Sequence, residues 1–439
     1  MTSLFSHSVR SEMLVLFVAE SFVVAFVVLA LLASGGGDSV MASLATALLV
    51  AVSAGLVAGA IGLYRPIALQ GMCPSIARGL TGAAVLALVL AVLLWLSPLH
   101  PAPWSFRQLL VTTWAGSLAA MALTRFAFGL LRLPLPRLAL VGLAAPDASA
   151  IQRNYQPFEV TLALPPGEAL LEAVERGRLR AWRIWAVVAA THEPLALAAR
   201  RRCGAAGLQV FTEAEFSEYG LNRVDIDRLS EGWLASANAT HESIWIAGLR
   251  RAFDIVFALT LLTFTMPLLL LAMLAIRLEG PGPIFYRQER VGRGNRSFEL
   301  LKLRSMIPDA EARGAAVWAS RGDRRITRVG RLLRLCRIDE IPQVLNVLRG
   351  DMSIIGPRPE RPCFVEQLGA VIPHYDDRAV VRPGITGWAQ VNHPYGASVE
   401  DARMKLSYDL YYIRRRSLFL DALILLATVR VVLFQEGAR

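Results

Sequence analysis

Cysteine is scarce in this chain: Cys73, Cys203, Cys336 and Cys363 are four in 439 residues. No two stand at the spacing of a zinc site or a redox pair, so reduced structural thiols are expected. Charged residues are also few, at 18%, against 54% hydrophobic residues. With a mean hydropathy of +0.45, this composition is too apolar for an ordinary soluble enzyme. The charge that is present is unbalanced, 46 Lys and Arg against 35 Asp and Glu, a net +11. In a membrane protein that excess points to anionic lipid headgroups or phosphorylated substrates, and no nucleic-acid partner is expected.

The apolar residues gather at the N-terminus. Residues 13–33, 40–63, 79–96 and 109–131 are each long enough to cross a bilayer core of ~30 Å. The first run is too long for a signal-peptide core and lacks a small-residue cleavage site. The loop "SGGGDS" carries no Lys or Arg, the second loop has Arg65 and Arg78, the third only Arg107, and Arg125, Arg132 and Arg137 follow the fourth run. Positive loops stay in the cytoplasm, so both ends of this bundle are expected to face inward. Glu20 falls inside the first run. With no basic intramembrane partner evident, it is expected near the bundle interior, without a proton-relay role.

From Pro136 the pattern changes. The runs "RLALVGLA", "FEVTLALP", "WRIWAVVAA" and "GLQVFTEAEF" alternate with helical stretches, which predicts a small parallel sheet. The first strand ends in "VGLAAPD" and lacks the Gly-x-Gly-x-x-Gly spacing that lets a backbone approach a pyrophosphate. A Rossmann-like module without nucleotide is therefore expected over residues 136–235, closed by a linker near "SEGWLASANATHES".

A further apolar core, 253–276, is also long enough to span, but Pro267 sits in its middle. Proline removes a backbone donor and clashes one turn back, so it kinks a helix. Arg250 and Arg251 precede the core, and Arg277, Arg287, Arg290 and Arg293 follow it. A full crossing would translocate a very basic segment, against the positive-inside tendency. The alternatives are a kinked spanning helix and a re-entrant hairpin over 250–278 bent at Met266-Pro267, and the charges favour re-entry.

Next comes the densest chemistry, "RLLRLCRIDEIPQVLNVLRGDMSIIGPRPERP". Arg328, Arg331 and Arg334 recur at helical spacing and share a face. Asp339 and Glu340 follow as neighbours, about 100° apart on a helix, so they can serve different partners. One carboxylate can attack phosphorus as a covalent nucleophile. A second can hold Mg²⁺, which takes one or two acids plus substrate phosphates. Nearby guanidinium groups would keep Asp339 ionised. Spacing alone leaves two readings open: a diphosphate site, or a salt-bridged helix surface.

The segment from Leu249 onward resembles the bacterial sugar transferase family, the monotopic polyprenyl-phosphate phosphoglycosyl transferases. The resemblance rests on "RRAFDIVFALTLLTFTMPLLLL", "GPIFYRQERVGRGNRSFELLKLRSM", "RIDEIPQVLNVLRGDMSIIGPRPERP", "VRPGITGWAQV" and "KLSYDLYYIRRRSLFLDALILLATVRVVL", in family order. The N-terminal spans and Rossmann-like module resemble the large, exopolysaccharide-associated members. The architecture implied is a membrane protein with a four-helix transmembrane bundle over 1–135, the Rossmann-like α/β module, and an α-rich monotopic catalytic domain over 236–439. The activity implied is transfer of a phospho-sugar from a UDP-sugar to undecaprenyl phosphate through an aspartyl intermediate, which initiates a surface polysaccharide. It implies the cytoplasmic face of the bacterial inner membrane, membrane lipids as partners, a homodimer and downstream glycosyltransferases.

By motif, the resemblance makes Asp339 the nucleophile and Glu340 the residue that supports Mg²⁺. Lys302 and Arg304 of "LKLRSM", Arg334, and Arg358 of "GPRP" match phosphate-binding positions, Asp421 matches a further active-site acid, and Pro267 matches the helix-breaking proline. Many relatives carry Thr-Ser-Leu where this chain has Cys336, Arg337 and Ile338. Arg337 is expected to add a phosphate contact; the other reading is a surface charge. "RPGITGWAQV" reads either as turns with Trp388 in the core or as a rigid loop presenting Arg382 to substrate. "YDLYYIRRR" is expected to be amphipathic, with its aromatics at the membrane interface, and the apolar segment after it to lie along the bilayer surface. A non-catalytic scaffold or regulator of polysaccharide assembly is the competing function. A transporter is disfavoured by the few spans and the lack of an internal repeat.

The charge pattern around Pro267 makes a topological prediction. Single cysteines at positions 251 and 287, on a cysteine-free background, should both resist an impermeant thiol reagent in intact cells. Reaction at either position from outside would contradict re-entry.

Overall fold

The computed structural model describes residues 2–4, 7–9, 11–34, 39–64, 72–97, 104–130, 136–142, 155, 158–165, 168–189, 197–238, 240–307, 323, 325–393, 396 and 398–434. Arg65, Arg132 and turn residues 143–147, used in the reading above, lie outside them. The chain divides into two compact units, Met1–Leu221 and Asn222–Arg439.

The first unit opens with long helices α1 (Ser11–Ser34), α2 (Val40–Ile61), α3 (Met72–Leu96) and α4 (Phe106–Leu130). All four are long and apolar enough to cross a membrane. Their outward faces carry exposed Phe22, Phe26, Leu88 and Phe126, while Leu16, Val28, Val50, Leu90 and Leu109 are buried between helices. Glu20 differs from expectation in one respect: it has a basic partner. Arg125, inside α4 and not in a loop beyond it, grips both carboxylate oxygens at 2.8 and 2.9 Å, and Tyr64 donates to one of them at 2.6 Å. Charge this deep in a bundle is tolerated only when paired, and sequence separation hid the pair.

The module after Pro136 is a four-stranded parallel sheet. Its strands are β1 (Arg137–Val141), β2 (Glu159–Leu164), β3 (Ile184–Ala189) and β4 (Gln209–Thr212), in the order β2-β1-β3-β4. Both faces are covered. Ala139, Val141 and Val187 pack toward Leu170 and Cys203, while Leu138, Leu140 and Val188 pack toward Phe158 and Phe216. This is why the strands read as continuous apolar runs.

The second unit begins earlier than the sequence indicated. The segment read as a linker is part of its core, since Trp233 and Ala237 are buried in one cluster with Val224, Ile226, Leu410 and Tyr411. Trp233 donates to Asp377 at 2.7 Å. Helix α5 (Ile244–Glu279) then runs 36 residues with Pro267 inside, about 54 Å at 1.5 Å per residue. It is one helical element across the proline.

One face of α5 is apolar and exposed, through Val256, Phe264, Leu271 and Leu278 at spacings of seven or eight residues. The other face is fastened to its own domain at both ends. Near the start, Arg251 donates to the carbonyls of Val347 and Leu348 at 2.6 and 2.8 Å. Asp254 accepts from Ser353 Oγ and Ile354 N–H, each at 2.9 Å. Near the end, Leu269, Ala272 and Ile276 pack on Leu303 and Leu333.

A hairpin follows, β5 (Phe285–Val291) and β6 (Ser297–Leu303), with Lys302 opposite Tyr286. Helix α6 (Arg328–Leu335) leads into the acidic pair, α7 (Gln343–Arg349) follows it, and two parallel strands, β7 (Ser353–Ile355) and β8 (Gly384–Thr386), lie beyond. Glycine is required where β7 and β8 leave their pairing. A Cβ on Gly384 would stand 2.0 Å from Gly356 N, and one on Gly387 2.1 Å from Gly356 O. The glycines of "IIGPRP" and "RPGITG" thus let two backbones touch, which sets the exit direction of the loop that carries Arg358.

The domain closes with α8 (Val399–Arg415) and α9 (Leu418–Phe434). Two of the three tyrosines of "YDLYYIRRR" are not at an interface. Tyr411 and Tyr412 are fully buried, and Tyr411 donates to Asn222 at 2.8 Å.

Candidate active site

The acidic pair sits in a tight turn. Arg337 adopts a left-handed conformation at φ 58°, and Ile338–Glu340 form a single 3-10 turn. This reversal, costly for a residue with a Cβ, points Asp339 and Glu340 into the domain, where both carboxyl groups are largely buried.

Glu340 is the better-held of the two. Its Oε1 receives Lys302 Nζ from β6 at 3.0 Å and Arg358 Nη2 from the Gly-Pro-Arg-Pro loop at 2.6 Å. Arg337 reaches Oε2 only at 3.9 Å. Burial alone would raise this acid; Arg358, Lys302 and Arg337 overcome it and hold Glu340 well below the usual carboxylate range. Burial and the Arg358 charge pull the Lys302 ammonium below its ordinary value, against the attraction of Glu340.

Asp339 behaves differently from expectation. Burial and the adjacent Glu340 carboxylate push it up, and Lys302, Arg334 and Arg337 only partly oppose them. The guanidinium groups do not make it an unusually strong acid, because the nearest of them are committed to Glu340. A buried carboxylate whose pKa is raised, and which forms no ion pair among the described residues, is the more reactive of the pair toward an electrophile.

The turn thus brings together Asp339, Glu340, Lys302, Arg358 and Arg337, within reach of the Arg334 charge. Three other expected residues are turned elsewhere. Arg304 donates to the carbonyls of Ile276, Gly280 and Pro281 at 3.1, 2.9 and 2.7 Å, so it caps the C-terminal end of α5 instead of facing a phosphate. Asp421 lies in a separate network. It pairs with Arg250, accepts from Tyr412 at 3.0 Å, and through Arg250 joins Glu242 and Arg416. Arg382 stands near Arg251 and Arg293; partial burial and then those like charges lower its affinity for its proton.

Residues that sequence reasoning passed over hold the loop that carries Arg358. Arg290 donates to Pro359 O and Arg378 to Arg358 O, each at 2.9 Å. Asp254 pins β7. Its signal was visible, as a lone acid in the apolar run "RRAFDIVF".

Magnesium was expected at Glu340. Among the described residues no group of three or more His, Cys, Asp and Glu could hold a metal. What fits is a hard cation arriving with substrate: Glu340 Oε2, which among the described residues has only the long Arg337 contact, could be one ligand and a diphosphate the next, the donor set Mg²⁺ favours.

The profile of the family described as "Bacterial sugar transferase" matches residues 245–435. A Caulobacter vibrioides protein described as "UDP-glucose:undecaprenyl-phosphate glucose-1-phosphate transferase" is 47% identical over 191 residues, 43% of this chain and 71% of that protein. This chain belongs to the bacterial sugar transferase family.

Other members are similar over different lengths. An Aeromonas hydrophila "UDP-N-acetylgalactosamine-undecaprenyl-phosphate N-acetylgalactosaminephosphotransferase" is 47% identical over 238 residues, 54% of this chain. The match spans about half the length of that relative, 55%. A Rhizobium leguminosarum "Exopolysaccharide production protein PSS" is 37% identical over 41% of this chain and 93% of its own length. The matched family region contains the dyad, Lys302 and Arg358.

Asp421 separates a structural role from a chemical one. Removing one partner of a buried ion pair costs roughly 3–5 kcal/mol. Asp421→Asn should therefore lower the melting midpoint in detergent, at about 2–4 °C per kcal/mol for a domain of this size, while the folded fraction keeps its turnover. Unchanged melting with lost turnover would return Asp421 to the active site.

Proposed function

We propose that the protein transfers a sugar 1-phosphate from a UDP-sugar to undecaprenyl phosphate, by double displacement on Asp339. The observation that carries this reading is the division of labour in the dyad. Glu340 Oε1 is engaged by Lys302 and Arg358, while Asp339, buried beside it, forms no ion pair among the described residues.

In the first step an Asp339 carboxylate oxygen attacks the sugar-bearing phosphorus of the donor. The bond from that phosphorus to the bridging oxygen breaks, and UMP leaves with the bridging oxygen. Lys302, Arg358 and Arg337 face the diphosphate and neutralise charge that would otherwise repel an anionic nucleophile. A magnesium ion held by Glu340 and the diphosphate would supply further neutralisation of the leaving group. In the second step a phosphate oxygen of undecaprenyl phosphate attacks the same phosphorus, and the Asp339 carboxylate leaves unchanged. No net proton is taken up in either step.

The long helix supports a membrane placement. A helix of about 54 Å exceeds the ~30 Å bilayer core, yet both ends of α5 are fastened to the same domain, through Arg251 and Asp254 at one and Arg304 at the other. An exposed apolar face and a two-ended tether suit a helix that enters the bilayer and returns. Such a helix keeps the dyad at the cytoplasmic surface, where water-soluble UDP-sugars and a lipid phosphate meet. The names of the relatives, which pair UDP-sugars with undecaprenyl phosphate, support the same substrate classes. The alternative of a non-catalytic scaffold has no structural feature in its favour, because the dyad and its cations are assembled.

The intermediate is open to direct test. Wild-type protein incubated with UDP-sugar and no lipid acceptor should gain the mass of one sugar phosphate, mapped to the Asp339 peptide. Asp339→Asn should gain nothing and make no product, because an amide cannot form the acyl phosphate. Wild-type product levels from Asp339→Asn would overturn the assignment.

A further inference from the structure

The arginine that grips Glu340 sits on a loop, and a loop is a poor place from which to hold a guanidinium within tenths of an ångström. Arg358 lies between two prolines in "GPRPE". Proline fixes φ but supplies no N–H, so other parts of the domain must anchor this backbone by its carbonyls. Three consecutive carbonyls are taken. Arg378 Nη2 donates to Arg358 O at 2.9 Å, Arg290 Nη1 to Pro359 O at 2.9 Å, and Val291 N to Glu360 O at 2.9 Å.

Arg378 is itself held from two sides. Its Nη1 donates to Tyr375 OH at 3.0 Å and its Nη2 to Asp409 Oδ2 at 2.8 Å. Asp409 comes from α8, in the middle of the buried stretch that includes Tyr411 and Tyr412, and is 2% exposed. A cavity of about 20 Å³ lies behind the loop, between Pro357, Pro359, Arg378 and Val381, room for about one water.

We infer that Asp409, acting through Arg378, is a positioning residue for the transfer reaction: it fixes the backbone of Arg358 so that the guanidinium meets Glu340. The inference rests on the proposed transferase reading. An unbroken line of contacts runs from Asp409 to Arg378, to the Arg358 carbonyl, and from the Arg358 side chain at 2.6 Å to Glu340. Nothing in this line touches the dyad except Arg358. Arg378 also needs Asp409 for its charge: a guanidinium buried to this degree requires a carboxylate partner. The groups that bear on Asp409 are Arg378, Glu360, Lys405 and Tyr375; burial, against the Arg378 charge, pushes it up to about 6, leaving it mostly ionised at pH 7.

A double-mutant cycle on kcat/KM tests this. Asp409→Asn keeps the shape and removes the charge, and is expected to reduce kcat/KM by about tenfold, the scale of a misplaced catalytic contact. Arg358→Lys replaces a rigid fork by a flexible point charge, which can follow a shifted loop. In that background the Asp409 penalty should shrink to within about twofold, the mark of residues acting on one another. A role in folding alone would leave the penalty at full size in both backgrounds, and equal penalties overturn the inference. Where Asp409→Asn does not fold, Tyr375→Phe, which removes only the other anchor of Arg378, carries the same cycle with a smaller first penalty. A wild-type protein that turns over no UDP-sugar overturns the transferase reading and this inference together; an active wild type with additive losses overturns only the positioning role.

Discussion

A carboxylate cannot stay charged away from water unless cations come to it, and in this protein the parts of the catalytic unit meet where Glu340 satisfies that demand. Lys302 arrives from a β-hairpin, Arg358 from a loop after a two-stranded sheet, and Glu340 from a turn with a left-handed residue before it. No two of these are neighbours in sequence, so their meeting defines the tertiary arrangement. The close backbone approach of Gly356 to Gly384 and Gly387, and the arginines that grip the Arg358 loop, are supports for that meeting. Asp339 is affected indirectly: with Lys302 and Arg358 drawn to Glu340, it remains a buried acid pushed above the ordinary carboxylate value.

The second constraint is the lipid. Helix α5 exposes Val256, Phe264, Leu271 and Leu278, a stripe that hydrocarbon would cover at low cost. The polar residues of its first third, Arg250, Arg251 and Asp254, turn to the domain. The cap that Arg304 provides at the far end serves the same purpose, since terminal carbonyls of a long helix need donors. A residue chosen from sequence for phosphate contact thus holds the membrane element in place, and it shares a strand end with Lys302, which does face the dyad.

Much of the fold was legible. The long apolar runs became α1 to α4, and the continuous apolar runs after Pro136 became the parallel sheet, because length and hydropathy act locally. The dyad and its neighbours Lys302 and Arg358 were visible through motif order. What could not be read depends on pairing across the chain. Glu20 seemed to lack a base because Arg125 stands 105 residues away. Asp421 resembled a catalytic acid but faces Arg250, 171 residues earlier. Tyr411 and Tyr412 carry an interfacial signature that suits a membrane surface and a core equally; burial against Asn222 and Asp421 decided it. The segment around Trp233 resembles a linker in composition, yet its indole anchors the core through Asp377.

The central claim is that phosphorus is transferred through the enzyme and not directly between substrates. Isotope exchange tests it without the lipid. Labelled UMP, incubated with UDP-sugar and the wild-type protein in acceptor-free detergent, should enter the UDP-sugar pool, because a reversible first displacement needs only those two. Exchange that appears only after undecaprenyl phosphate is added would contradict a covalent Asp339 intermediate and leave direct transfer in its place.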